Sequence, residues 1–244
     1  MKLYVLGCMG PYPEKDAALS GYLVESKSAK VLLDCGNGVL ARLQNYTDII
    51  KLDAVILTHL HADHMSDILV LRYYCAFNNL KLDVYLPQED SLEYSLISSC
   101  ENFNIINIEP DKTYKIKDLN IHFVEMAHPK KCFGVRLEDE KAVLAYTGDT
   151  TLNPNLDKLT LGADTVLMDC AFPTQAHKPQ TPHMSLSQGA LYAQNKPFKL
   201  LVTHIIPNTD ITNELKELGL NRVYQDDIYE IIRQGYNLIN RAGE

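Results

Sequence analysis

The chain has 244 residues, 46% of them hydrophobic and 22% charged, with a formal net charge of −8. That length suits one large domain or two fused halves around a substantial core, and we read 1–244 as one domain. The acidic balance weighs against the clustered Lys and Arg that extended nucleic acid would require, and no apolar run approaches the roughly 18–20 residues of a membrane span.

In chain order, strand signals over residues 3–6, 21–25 and 30–34 precede a helical pattern over 38–44. A strand over 54–58, a helix over 65–77, a strand over 83–86 and a helix over 91–102 complete the first group. A later group has strands over 105–108, 119–126, 132–137, 142–147 and 165–169, a helix over 185–195, a strand over 199–203 and a helix over 211–218. Ser66, Ser91 and Ser185 are candidate helix N-caps. Two strand-rich groups with interspersed helices predict an α/β sandwich of two mixed sheets packed face to face, helices outside. The N-terminal strand is too short in its apolar part for a secretory signal. Cys8, Cys35, Cys75, Cys100, Cys132 and Cys170 are scattered, with no C-x-x-C pair. That pattern fits a reducing, cytoplasmic setting without disulfides.

The run Thr58-His59-Leu60-His61-Ala62-Asp63-His64 puts four ligand-type residues within six positions of an apolar strand. Imidazoles and a carboxylate crowded there repel when charged and need partners when buried. A divalent cation removes the problem, because neutral His nitrogens and an ionised Asp are suitable ligands. His59 and His61 alternate as same-face strand residues do. Adjacent Asp63 and His64 diverge and can serve a second ion.

Three further loops offer ligands at strand ends. His128 precedes Pro129, Asp149 sits in Tyr146-Thr147-Gly148-Asp149-Thr150, and His204 ends Leu200-Leu201-Val202-Thr203. The plain alternatives are a capped loop His, a turn Asp bonding its own backbone, and a satisfied half-buried His.

The histidine run, His128, Thr147-Gly148-Asp149-Thr150 and Thr203-His204 together resemble the metallo-β-lactamase superfamily across nearly the whole chain. The resemblance implies an αββα sandwich, one metal on His59, His61 and His128, a second on Asp63, His64 and His204, and Asp149 bridging them. Asp34, in Asp34-Cys35-Gly36, resembles the family's early Asp-x-Gly element and would support a ligating His.

Within the superfamily the chain is most similar to the ribonuclease Z-like branch. His128 to Arg136 resembles its His-containing strand lead-in, with Val135 where Tyr is common. His183-Met184-Ser185 resembles its His-Ser/Thr element, and Asp169 falls where the branch often has Glu. Its tRNA-processing members carry a long arm between the third His and the bridging Asp. Here 20 residues, 129–148, fill that interval, enough for two strands and a turn, so the arm is missing.

Two divalent ions side by side hold a hydroxide at neutral pH and polarise a substrate oxygen. Zinc fits His-rich ligation best, and manganese or iron are compatible. We therefore expect a di-metal hydrolase that uses a bridging hydroxide on a phosphodiester, small cyclic or terminal ones ahead of structured RNA. The alternatives are a carboxylic ester, lactone or sulfate ester hydrolase, and a metal-loaded binding protein without turnover. Asp63 would ligate and orient the hydroxide. His183, oriented by Asp169, would protonate the leaving oxygen or hold the phosphate, the competing reading being a His capping or bonding the start of the helix at Ser185. His122 reads as a strand-face residue. His177 is a weaker candidate for lining the pocket. Lys178, Tyr12 and Lys15 could meet an anionic substrate, although surface solvation is the plainer reading. Arg72-Tyr73-Tyr74 reads as a packed helix, and Met65, Met126 and Met168 as core filler. The expected partner is a small anionic molecule, and the 14 tyrosines would suit a homodimer, although Tyr is also ordinary core material.

Overall fold

The computed structural model describes residues 1–241. The chain opens with strands β1 (Lys2–Gly7), β2 (Gly21–Glu25), β3 (Lys30–Leu33), β4 (Ala54–Ile56), β5 (Leu82–Leu86) and β6 (Phe103–Asn107). Helices α1 (Val39–Leu43), α2 (Ala62–Met65), α3 (Ile68–Phe77) and α4 (Leu92–Ser98) connect them. Next come β7 (Thr113–Ile116), β8 (Leu119–Met126), β9 (Cys132–Glu138), β10 (Val143–Tyr146), β11 (Thr165–Asp169), β12 (Lys199–Thr203) and β13 (Asn221–Arg222). These are interleaved with α5 (Asn155–Thr160), α6 (Leu186–Ala193) and α7 (Thr212–Leu218). β14 (Ile228–Ile232) and β15 (Gly235–Asn240) close the chain.

The strands form two sheets, in order β15-β14-β1-β2-β3-β4-β5-β6 and β13-β12-β11-β10-β9-β8-β7. Side-chain alternation builds three apolar layers from them. In β3, Val31 and Leu33 point into the core between the sheets while Leu32 meets the helices outside. In β10, Leu144 and Tyr146 face that same core and Val143 and Ala145 face the helices behind the second sheet. Each sheet is therefore apolar on both faces. The result is the αββα sandwich.

The helices decide where the loops go. β3 to β6 pair in parallel, as do β10, β11 and β12. Parallel neighbours need crossovers, which put the C-terminal strand ends of each sheet on one rim. β8 and β10 are both antiparallel to β9, so β8 ends on that rim too.

Several expectations need correction. The strand anticipated at 105–108 is β6, which completes the first sheet beside β5 rather than opening the second group. His59 and His61 are not strand residues, since β4 ends at Ile56 and His61 is the N-cap of α2. The helix expected over 65–77 is broken into α2 and α3. Ser66 ends α2 instead of capping α3, and its buried hydroxyl has no partner. Ser91 and Ser185 do cap, Ser185 in a capping box with Gln188. β7, β13, α5 and the β14–β15 hairpin were not anticipated, and the hairpin returns to the first sheet by pairing with β1. All six cysteines are free, and no described helix is long and apolar enough to cross a membrane.

Candidate metal centre

The rim gathers all seven of the anticipated ligand-type side chains. His59, His61, Asp63 and His64 come from the loop after β4 and from α2. His128 follows β8, Asp149 follows β10, and His204 follows β12. They form two groups that share Asp149, one with His59, His61 and His128 and the other with Asp63, His64 and His204. Asp149 Oδ2 lies 3.5 Å from His59 Nε2 and 4.0 Å from His128 Nε2. Its other oxygen, Oδ1, lies 3.1 Å from His64 Nε2 and 3.4 Å from His204 Nε2. His204 Nε2 also lies 3.2 Å from Asp63 Oδ2.

Acceptors behind the rings fix which nitrogen faces inward. His64 Nδ1 donates to Asp34 Oδ2 at 2.8 Å. Asp34 also accepts from the Thr58 amide, the Thr58 hydroxyl and, at 2.8 Å, the Tyr146 hydroxyl. The Thr58 hydroxyl therefore gives its proton to Asp34 and accepts from His59 Nδ1 at 3.1 Å. His128 Nδ1 donates to Pro182 O at 3.2 Å. All three histidines turn Nε2 toward Asp149. His61 turns its Nδ1 inward, 3.0 Å from His59 Nε2 and 3.1 Å from His128 Nε2.

The two groups differ electrostatically. Burial holds His59 well below the usual imidazole range and takes His128 down to about 4. On the other side burial also opposes charge, but Asp149 and Asp34 outweigh it and raise His64. Asp149 and Asp63 likewise bring His204 up to about 9. Burial would raise Asp149, yet His204, His64 and His59 hold it well below the carboxylate range. One side is thus a set of neutral nitrogen donors, and the other calls for positive charge. The buried carboxylates Asp34, Asp63, Asp149 and Asp169 have no Lys or Arg partner among the described residues. His64 Nε2 and Asp149 Oδ1 are buried, 3.1 Å apart, and not hydrogen-bonded. Orphaned donors and acceptors of this kind fit divalent cations held by His and carboxylate.

Backbone conformation places two of these groups at some cost. Asp34 (φ 57°) and His204 (φ 60°) are left-handed, a conformation costing of order 1–3 kcal/mol outside glycine. Each ends a strand, β3 or β12, and turns its side chain over the rim. Gly10 was missed by sequence reasoning. A Cβ there would lie 2.1 Å from His204 Cε1, so the imidazole rests on bare backbone. Tyr146, quoted in the sequence only as part of a motif, is the second omission. Neither carries a ligand signature.

His183 and Asp169 meet as anticipated. His183 Nδ1 donates to Asp169 Oδ2 at 2.8 Å, and Asp169 also accepts from the Thr150 and Ala171 amides. The His183 ring stacks on His204 with centroids 5.0 Å apart. His177 Nε2 donates to the His183 carbonyl at 3.0 Å, bracing the loop that carries it. His122 lies away from the centre, paired with Thr113. Tyr12, Lys15 and Lys178 are exposed, whereas Met65, Met126 and Met168 are core. The expectation for Arg72-Tyr73-Tyr74 holds only in part, because Tyr74 packs on the core while Tyr73 is exposed.

Residues 29–205 match the family described as Beta-lactamase superfamily domain. The probable metallo-hydrolase YhfI of Bacillus subtilis is 29% identical over 224 residues, covering 89% of this chain and 91% of its own. The crystal structure of that metallo-β-lactamase fold protein superposes with a TM-score of 0.88 over 93% of this chain and 97% of the other, at 28% identity. A ribonuclease Z of Methanopyrus kandleri is 33% identical over 138 residues, 56% of this chain and 50% of its own. A diphosphatase from the PhnP family shares the fold, with a TM-score of 0.74 at 18% identity over 95% of this chain and 98% of the other. The chain belongs to the β-lactamase superfamily, among its metal-dependent hydrolases.

Proposed function

We propose that this chain hydrolyses small phosphodiesters, cyclic or terminal, at a centre of two divalent cations. The observation that carries the reading is the Asp149 carboxylate with a different set of imidazoles at each oxygen. His59, His61 and His128 would hold one ion, Asp63, His64 and His204 the other, and Asp149 both. Bound there, two ions lower the pKa of a water molecule and draw charge from a phosphoryl oxygen. Zinc suits the donor set, with manganese or iron as substitutes.

The remaining residues position and move protons. Asp34 keeps His64 in the tautomer whose Nε2 faces Asp149. Asp169 holds the His183 Nδ1–H, so Nε2 is the atom that meets substrate, and a proton there can pass to the leaving oxygen. A phosphodiester fits this arrangement because an alkoxide leaving group needs that proton. Between His128 and Asp149 the chain makes only β9, a turn and β10. With the net charge of −8, this compact interval favours a small anionic substrate over pre-tRNA. The ribonuclease Z and diphosphatase relatives are named for reactions at phosphorus.

The test is turnover of bis-nitrophenyl phosphate beside nitrophenyl acetate and nitrophenyl sulfate, by protein stripped of metal and reloaded with zinc or manganese. The reading expects phosphodiester turnover that Asp149→Asn abolishes. Ester or sulfate turnover without phosphodiester turnover assigns the centre to the other substrate class, and metal uptake with no turnover assigns it to binding.

A further inference from the structure

Arg222, on the edge strand β13, has no anionic partner among the described residues. The chain has six arginines. Arg42, Arg136, Arg233 and Arg241 each lie 2.9–3.8 Å from a carboxylate oxygen, and Arg72 donates to the Tyr73 hydroxyl. Arg222 instead donates to Met9 Sδ at 3.4 Å, lies beside the Cys8 thiol and sits 5.1 Å from the centre of the Tyr224 ring. Its Nε is buried without a hydrogen-bond partner. Nearby acids are engaged elsewhere. Asp226 takes Arg42 and the Tyr46 hydroxyl, and Asp227 takes the Tyr229 hydroxyl and the Tyr224 amide. A half-buried charge answered only by sulfur and a ring face is under-compensated.

We propose that Arg222 is the anchor of a small-oxyanion site, distinct from the metal centre, that takes a phosphate or carboxylate group. Arg222 opens on a cavity of about 210 Å³ lined also by Cys8, Met9, Lys15, Ala17 and Tyr224. That space admits a small ion or the anionic end of a larger molecule. Lys15, offered by the sequence for an anionic ligand, lines this cavity. Glu14 and Asp16 line it too, but Glu14 accepts from the Asn208 amide and Asp16 lies 4.0 Å from Lys15. The guanidinium is left as the uncompensated charge, and its fork matches two oxygens of one oxyanion. None of the metal-centre side chains lines the cavity. It is nonetheless close to them. Arg222 lies opposite Val202, two residues before His204, and Met9 bridges to Ile205. Gly10, next along, carries the His204 ring. The site does not depend on which bond the metal centre cleaves.

The experiment is ligand-observed NMR of inorganic phosphate and of acetate with the full chain stripped of metal, so that bound cations contribute nothing. Arg222→Gln removes the charge. Ala17→Glu keeps Arg222 and sets a competing carboxylate in the cavity, which decides the matter should Arg222→Gln fail to fold by circular dichroism. Arg233→Gln, at an arginine 65% exposed elsewhere, is the control. The site predicts that wild type binds at least one of the two ions and that Arg222→Gln and Ala17→Glu each weaken this by about tenfold or more, the worth of a charge-assisted hydrogen bond. Arg233→Gln leaves it unchanged. Tighter binding of phosphate identifies a phosphoryl ligand, and tighter binding of acetate a carboxylate. Binding of neither ion through the millimolar range overturns the proposal. So does binding that survives in the folded variants, or an equal loss in Arg233→Gln, which marks an adventitious ion only.

Discussion

Removing one oxygen atom tests how the centre is held. Tyr146 is fully buried, and its hydroxyl donates to Asp34 Oδ2, the same oxygen that receives His64 Nδ1. Phe keeps the ring and its edge contact with Tyr22, whose centroid lies 5.1 Å away. Tyr146→Phe therefore deletes the hydrogen bond and little else. A hydrogen bond to a charged group contributes roughly 1.5–3 kcal/mol. The expected loss is about 2 kcal/mol, or a fall in Tm of about 4–8 °C for a chain of this size. Urea unfolding of metal-stripped protein measures it as a shift of midpoint at constant slope. The same substitution in an Asp34→Asn background should cost at least about 1 kcal/mol less, because the two groups act on each other. A loss below about 0.5 kcal/mol, or full additivity with Asp34→Asn, refutes the reasoning.

Other outcomes follow from particular contacts. Gly10→Ala puts a Cβ 2.1 Å from the His204 ring, so metal titration should lose one of two binding events, the one that uses His204, while far-ultraviolet circular dichroism stays unchanged. On a diester with an alkyl leaving group, His183→Ala should lower kcat by about 10²–10⁴-fold, the usual worth of a positioned proton donor, and far less on bis-nitrophenyl phosphate, whose nitrophenoxide leaves unprotonated, with metal content by elemental analysis unaltered. Asp169→Asn should give a smaller fall in kcat, since His183 stays in place and loses only its tautomer-fixing carboxylate. Asp118 is a pH probe far from the centre. Burial would raise it, but the Ser26 and Ser28 hydroxyls outweigh burial and take it to about 2 from an ordinary 3.8. Its stabilising contribution is complete above the ordinary value and is lost as pH falls through about 2. Urea midpoints across that window should slope for the wild type and slope less for Asp118→Asn.

How far the molecule could be read from its residues differs by layer. Strands that alternate or run apolar, such as Gly21–Glu25, Thr165–Asp169 and Lys199–Thr203, stand where their pattern puts them. The edge strands were lost because solvent-facing positions dilute the pattern. β7 alternates exposed and buried over only four residues, and β15 is mostly exposed. Pairing was less legible than existence, since nothing local to residues 103–107 says that they lie beside β5 rather than open the second sheet. At the centre, dense ligand types made the His59 run conspicuous, and each of its partners stands at a strand end. Gly10 and Tyr146 were illegible for a physical reason. One matters by having no side chain where His204 lies, and the other by a register that brings residue 146 beside residue 34. Both are properties of tertiary packing. The break between α2 and α3 is similar, because it lets Cys35 and His64 share a backbone hydrogen bond that a continuous helical pattern does not announce.

The account depends on two cations straddling one carboxylate. Anomalous diffraction from crystals of the zinc-reloaded protein tests this most directly. Two peaks are predicted, one beside each oxygen of Asp149, the first among His59, His61 and His128 and the second among Asp63, His64 and His204. A single peak on one side, or none within reach of Asp149, would contradict it.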